Sequence, residues 1–582
     1  MTRLILTLSV CLALLMGWLG LEGRARAPAV SPSETPAGST VDVLAPTTNA
    51  GPANAGPANA SRVPCMSYAP YRRAGHAPWH ETRPIRPEQI REDLSLLRPL
   101  TRCIRTYGVE HGLEAVPAIA RELGFRVRLG VWIGADRAGN QAHLERAIAL
   151  ARDYSDVVDL LVVGNEVLLR GDLPVAELVR LLDQARSAQG VPVAYADVWE
   201  FWQRHADVLR THVDIAAIHV LPYWEDHPVG IDHAVGHVQQ VLRTMRRELA
   251  PLPVWLAETG WPSAGRQRGP AQPGLTEQAR FVREWVRMAG AEDNLIEAFD
   301  QPWKRDFEGA MGGYWGLLDA QGRAKFDWDG PLPPGQALGP ALMALMAGLV
   351  AGLVGKRFAN PRGSGIGTGF GLPLAAGLAG ACLAPLVLLQ VQMIAVWART
   401  PVEVLAAFAY ALLCLMTALL ALGQCFLGRP LRALRPCLVL LLISTAVLAL
   451  ALVLEGRYRP LVWPLLIAPA IALLLPRERG TKSLPAGWLR FAGMGTLVHR
   501  TLAHRPRGMR VMGLTATGLI AALVCLICSG VLIHLEGWVN TQARYCAVGW
   551  VLLALGGLRH LLNADQQAGE PTVRSRSVED AY

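Results

Sequence analysis

"LPVWLAETGWPSAG", residues 252–265, is an apolar run that closes on a carboxylate, Glu258, and breaks at once into a Thr-Gly-Trp-Pro turn. A strand buried on both faces reads as a near-continuous apolar run, so a charged last member needs an explanation. "VVDLLVVGNE" (157–166) has the same form and ends on Glu166. Six more short apolar runs share the spacing: "VPCMSY" (63–68), "CIRTYG" (103–108), "FRVRLGVWIG" (125–134), "VPVAYAD" (191–197), "DIAAIHVLPYW" (214–224) and "LIEAFDQPW" (295–303). Between them lie helical patterns such as "PEQIREDLSLLRPL" and "AHLERAIALARDY". Strands alternating with amphipathic helices predict a parallel sheet wrapped in helices. Eight such units over residues 61–335 predict an α/β fold, a (β/α)8 TIM barrel; the last helix is not evident.

That architecture accounts for the two carboxylates. Active sites of such barrels lie at the C-terminal ends of the strands, so Glu166 on the fourth strand and Glu258 on the seventh are placed to face each other across the mouth. Glycoside hydrolysis uses such a pair, one carboxylate on each side of the scissile bond, and a separation of ~5–5.5 Å lets one of them act as nucleophile. A single strand-end glutamate is equally well read as a rim salt bridge. Two of them, on strands four and seven and each in a distinctive context, favour the pair.

"VVGNE" followed some ninety residues later by "ETGWPS", with "RTYG" (105–108), "HVLPYW" (219–224) and "FDQPWK" (299–304) in order, resembles glycoside hydrolase family 17, the β-1,3-glucanases and β-glucanosyltransferases, in a bacterial membrane-anchored form. The resemblance spans about residues 61–330. It implies a retaining mechanism with Glu258 as nucleophile and Glu166 as acid/base, the latter with a raised pKa so that it starts protonated. It also implies that Asn165 hydrogen-bonds a sugar 2-OH and that Tyr223 orients the nucleophile. Two positions depart from the plant pattern: Leu221 stands before the strand-six Pro in place of Tyr, and Gln301 replaces an acidic residue of the strand-eight motif, although Lys304 is kept and Glu308 lies nearby. Further substrate-binding candidates are Tyr107, His219 and Lys304. Aromatic residues at or after strand ends (Trp132, Tyr195, Trp224, Trp261, Trp303 and Trp315) suit a cleft in which sugar C–H faces stack on rings. No His/Cys/Asp grouping has metal-ligand spacing, so no metal or other cofactor is expected.

The rest of the chain is of another kind. Residues 1–27 have a basic start and a long apolar run, the form of a signal peptide or an uncleaved anchor. Residues 28–60 are a Pro/Ala/Gly-rich linker containing "AGPAN" twice in tandem. From 336 to 562 the sequence predicts an all-α polytopic transmembrane domain of about seven helices, with apolar runs at 338–355, 371–395, 402–427, 437–454, 461–475, 511–533 and 545–562; Pro464 and Pro469 interrupt the fifth. A polar cytoplasmic tail, 563–582, closes the chain. One set of alternate loops is rich in arginine, and the other carries only Arg399, then Arg457 and Arg459, then Arg544. The positive-inside rule therefore puts the barrel outside the cytoplasm, in the periplasm against the inner membrane. The net charge of +9 comes from this half, and the barrel has no basic, aromatic-laced patch, so nucleic acid is not an expected partner. Of ten cysteines, only Cys65 and Cys103 lie in the barrel, as a possible disulfide.

The expected function is remodelling of β-1,3-glucan by a membrane-anchored glucanosyltransferase or branching enzyme. The alternatives are a β-1,3-glucan hydrolase and a non-catalytic glucan-binding scaffold or export component. Expected partners are a β-glucan poly- or oligosaccharide, the lipid bilayer and a membrane glucan synthase. The apolar runs carry almost no ionisable residues, which argues against transport.

Overall fold

The structure, a computed structural model, describes residues 62–333 (apart from 74, 80–83 and 189), 347–348, 351, 368–475 (apart from 428–429, 455 and 462–463) and 507–569. The N-terminal segment and linker, most of the 338–355 run and the tail from 570 lie outside the described residues.

Eight strands form one parallel sheet: β1 (Cys65–Ser67), β2 (Cys103–Arg105), β3 (Arg126–Val131), β4 (Val158–Asn165), β5 (Val193–Val198), β6 (Ile215–His219), β7 (Val254–Glu258) and β8 (Asn294–Leu295). They run in the order β7-β6-β5-β4-β3-β2-β1-β8. The β7/β8 seam is closed without a ladder: Ile296 N donates to Thr259 O at 2.9 Å, and Asn294 Nδ2 donates to Ala257 O at 2.8 Å. Gly260 permits that approach, since a Cβ there would stand 2.4 Å from Ile296 O. The result is a nearly closed barrel. Helices α1 (Pro87–Leu97), α2 (Val116–Leu123), α3 (Arg137–Asp153), α4 (Val167–Arg170), α5 (Val175–Ser187), α6 (Trp199–Leu209), α7 (Ile231–Glu248) and α8 (Leu275–Val286) connect the strands. After β8 there are only short pieces, the 3-10 turns Pro302–Lys304 and Ala310–Gly313 and the four-residue α9 (Arg305–Glu308), which is why the last helix left no pattern. Apolar side chains such as Leu94, Ile104, Leu129, Val163, Ile218 and Leu256 are fully buried, each stabilising the core by about 1.5–3 kcal/mol. A disulfide joins Cys65 on β1 to Cys103 on β2.

The C-terminal region is helical: α10 (Thr368–Trp397), α11 (Pro401–Leu427), α12 (Leu434–Leu454), α13 (Ile467–Leu474), α14 (Arg507–Glu536) and α15 (Thr541–Gly569). Five of these contain apolar stretches of 21–25 residues, long enough and apolar enough to cross a membrane. Their outward side chains are apolar, with Leu405 73 % and Ile520 65 % exposed, as a lipid-facing surface requires. The run at 461–475 does not form a comparable helix: α13 has eight residues, about 12 Å at ~1.5 Å per residue.

One end of the helical bundle meets the barrel. Arg305 donates to Val396 O and Ala398 O at 2.7 and 2.8 Å, supplying a cation to the open carbonyls at the end of α10. Gln267 Oε1 accepts from Thr541 N at 3.1 Å, and its backbone carbonyl accepts from Asn540 Nδ2 at 3.0 Å, which satisfies the start of α15. Arg266 pairs with Glu536. These barrel residues follow β7 and β8, so the face holding the C-terminal strand ends is the one turned to the helices.

Candidate active site

Four strand ends converge on one guanidinium. Arg105, the last residue of β2, is 1 % exposed. Its Nη1 donates to Glu258 Oε1 and to Ala257 O, both at 2.9 Å, and its Nη2 donates to Asn165 Oδ1 at 2.5 Å. A buried carboxylate beside a buried guanidinium is held by charge-assisted bonds, about twice as strong as neutral ones. Glu258 Oε1 also lies 2.7 Å from the Tyr107 hydroxyl. That hydroxyl is 2.9 Å from Ser67 Oγ, which in turn accepts from Asn294 Nδ2 at 2.8 Å. A phenol has one proton; with that proton on the carboxylate, Ser67 donates to the phenol oxygen.

Glu166 approaches from the far side. Its φ is +54°, a left-handed conformation that costs a non-glycine residue about 1–2 kcal/mol. Its Oε1 is 2.8 Å from His219 Nδ1, and His219 Nε2 is 3.3 Å from Arg105 Nη1. A guanidinium only donates, so Nε2 accepts and the imidazole proton sits on Nδ1, directed at Glu166. Burial pushes the Glu166 carboxyl up, but the hydrogen bond and electrostatic pull of His219, with the positive charges of Arg170 and Arg105, outweigh it and leave the pKa below the ordinary value. The expectation of a raised pKa is thus not met.

Oxygens of Glu166 and Glu258 and a nitrogen of His219 all lie within 4.8 Å of one another. This trio is compact enough to ligate a cation, but the Arg105 guanidinium occupies Glu258 Oε1 with positive charge. On the β8 side, Lys304 Nζ spans both oxygens of Glu297 at 3.0 and 2.9 Å. Burial pushes Glu297 up to about 7 despite the lysine. Burial also raises Glu308, and the charges of Glu166 and Glu258 add to it.

Asn165, Tyr107, His219, Glu166 and Glu258 are therefore brought together, with Lys304 one carboxylate away. Trp132, 42 % exposed, lies under the Arg170 guanidinium at 4.3 Å. Trp303 is half-buried and edge-on to Trp79 at 5.3 Å. Other expectations need correction. Tyr223 does not touch Glu258: it is fully buried with its hydroxyl on Arg266 O at 2.5 Å, and Tyr107 takes the place expected for it. Trp261 is fully buried with its indole N–H on Gln272 O, and Tyr195 and Trp315 are likewise core. They pack under the mouth, not in it. Missed altogether were Arg105, Ser67, Asp197 and Glu297. The signal for Arg105 was present: an arginine inside the apolar "CIRTYG" run has to be paired once buried.

A model of the BtgE/BtgC glycoside hydrolase domain matches residues 65–316, the barrel. The glucan 1,3-beta-glucosidase of Schizosaccharomyces pombe is 30% identical over 255 residues, covering 40% of this chain and 78% of that protein. The probable beta-glucosidase btgE of Aspergillus fumigatus is 28% identical over 222 residues, and the match spans 37% of this chain but only 39% of that protein's length. Among solved structures, a glycoside hydrolase family 17 beta-1,3-glucanosyltransferase from Rhizomucor miehei aligns over 46% of this chain and 98% of its own, with 23% identity and a TM-score of 0.40.

Proposed function

Because the chain belongs to the BtgE/BtgC family of glycoside hydrolases, we propose that it is a membrane-anchored retaining enzyme that remodels β-1,3-linked glucan as a glucanosyltransferase. The observation that carries this reading is the opposed pair Glu166 and Glu258, with carboxylate oxygens within 4.8 Å. So close an approach of the nearest oxygens favours the ~5–5.5 Å carboxyl separation of retaining enzymes over the ~6.5–9.5 Å that leaves room for a water in inverting ones. Glu258 attacks the anomeric carbon, with Arg105 and Tyr107 fixing its position. Glu166 gives a proton to the departing oxygen while its other oxygen keeps the His219 Nδ1–H bond. A sugar entering the cleft displaces water from Glu166 and raises its pKa toward the protonated form it needs. Once the glycosyl ester forms, the charge on Glu258 is gone, and Glu166 takes a proton from the acceptor hydroxyl.

A sugar acceptor gives transfer and water gives hydrolysis. A barrel fixed to a helical bundle suits work on a nascent glucan, which favours transfer. The name of the yeast relative favours hydrolysis as the second reading. An extracytoplasmic barrel is supported by the Arg-poor loops: the barrel contacts Ala398, Arg459 and the 536–542 turn, which belong to the loop set that the positive-inside rule leaves outside. The test is mass spectrometry of products from the purified chain with a defined β-1,3-gluco-oligosaccharide. Products longer than the substrate, absent with Glu258→Ala, are expected; only shorter products would leave hydrolysis.

A further inference from the structure

Trp224, five residues past His219 on the loop after β6, was expected to offer a ring to the sugar. In the structure Tyr223 lies nearly parallel to it at 5.8 Å, and the Arg268 guanidinium packs over it at 4.9 Å. A third ring abuts it: Tyr458, with centroids 5.8 Å apart and planes at 56°. Tyr458 belongs to the turn Gly456–Tyr458 that follows α12, and so comes from the helical region. On its other side this turn presses on the loop after β8, where a Cβ added to Gly309 would stand 2.7 Å from Tyr458 O. Gly309 directly follows Glu308, which lies within electrostatic reach of Glu166 and Glu258. Although wedged between two loops of the catalytic face, Tyr458 keeps 44 % of its surface open. Of these three rings the tyrosine of the helical region is the most exposed.

We propose that Tyr458 is a sugar-stacking residue of the cleft, so that the helical region completes the glucan-binding site of the barrel. The inference rests on the glucan reading above. Tyr458 packs on Trp224, five residues past His219, and in this arrangement its ring meets a glucosyl unit remote from the scissile bond. Short substrates do not reach it; longer ones gain a stacking contact without any change in the chemistry at Glu258. Its contribution is accordingly to KM and grows with chain length.

The experiment uses the full chain in detergent micelles, with a β-1,3-gluco-trimer and a hexamer as substrates. Tyr458→Ala is expected to raise KM for the hexamer about 3- to 10-fold, the scale of one aromatic contact, with kcat held and the trimer unaffected. Tyr458→Phe restores hexamer binding, whereas Tyr458→Leu, apolar but not a ring, does not. Equal losses on both substrates, or restoration by leucine, would mark Tyr458 as a docking contact only and overturn the proposal. So would a hexamer KM that stays at the wild-type value in Tyr458→Ala. Wild-type chain that turns over neither substrate would overturn the glucan reading as well, which separates the two failures.

Discussion

The barrel and the helical bundle bury polar groups by opposite rules. Within the barrel, Arg72, Asp93, Arg105, Arg128, Asp197, Glu258, Arg266, Glu297 and Asp300 are all less than a tenth exposed. Arg72 is bonded to Asp93 at 2.7 Å and Lys325 to Asp300 at 2.8 Å, so several of these charges are simply paired in place. Among the described residues of the helical region, the buried polar side chains are uncharged, such as Gln390, Thr417, Thr445, Ser529 and Asn540. Two of them return a hydroxyl to their own helix: Thr417 bonds Leu413 O and Ser529 bonds Cys525 O. A buried charge is expensive unless paired, and intramembrane charges mark ion or proton paths. The contrast concentrates buried charge in the barrel and leaves the described part of the bundle with neutral buried polar groups.

The largest expected effect tests the barrel's share. Glu258→Ala should lower turnover by on the order of 10⁴-fold or more, as loss of a nucleophile does. Azide, small enough to enter the vacated space, should restore product as the α-glycosyl azide; with Glu166→Ala the rescued product should be the β-anomer. The opposite anomers would exchange the two roles, and no rescue in either variant would remove the covalent step.

Next comes the place where the two rules meet. Arg266, 1 % exposed, reaches out of the loop after β7 to pair with Glu536 at the end of α14. Removing one partner leaves a buried charge unpaired, at ~3–5 kcal/mol. Arg266→Met or Glu536→Gln alone should therefore lower the melting temperature more than the double variant does. Additive losses would mean that the two residues are not coupled.

A smaller effect is a pH slope. Burial pushes the Asp197 carboxyl up to about 6 against its Tyr195 hydrogen bond, and the Glu166 charge adds to the rise. A carboxyl whose folded pKa is raised binds its proton more tightly when folded. Its contribution is present below the unfolded value near ~4 and is lost as pH rises through about 6. The span is about 3 kcal/mol. Thermal melts of Asp197→Asn should lack that part of the fall in stability; an unchanged slope would assign it to another group. Glu297, at about 7, contributes with the same sign at higher pH.

What the sequence carried divides along the same line. Strands with both faces buried leave an unbroken apolar signature, so the eight-fold alternation and the two strand-end glutamates were legible. β8 was placed with its two ladder residues inside or beside the expected run, but the turn through Asp300 and Gln301 was not foreseen. The aromatic residues were not legible individually: Trp261 and Trp132 both follow a strand, yet one is fully buried and the other 42 % exposed. Spacing along a strand fixes the height of a ring in the barrel, not whether a neighbouring loop covers it. Tyr223 was misassigned for a related reason, since its partner Arg266 O lies on a loop whose path depends on the helical region. The short α13 replaced a spanning helix where prolines interrupt the run, as Pro464 and Pro469 had signalled.

The smallest change concerns Tyr107, which holds Glu258 by one neutral hydroxyl where Arg105 holds it by a cation. Tyr107→Phe keeps the ring, which Arg105 overlies at 4.8 Å, and removes only the 2.7 Å bond to Glu258 Oε1. The fully buried Ser67 then loses its acceptor but keeps Asn294, so the stability loss should stay near ~1 kcal/mol. Turnover should fall further than stability suggests, about 10- to 100-fold, because a misaligned nucleophile loses attack geometry that the ground state does not need. KM should change little, since the hydroxyl faces the carboxylate and not the sugar. Steady-state kinetics beside a thermal melt separates these outcomes. A loss in KM with kcat preserved would move Tyr107 from positioning the nucleophile to binding the substrate, and would leave Arg105 as the group that orients Glu258.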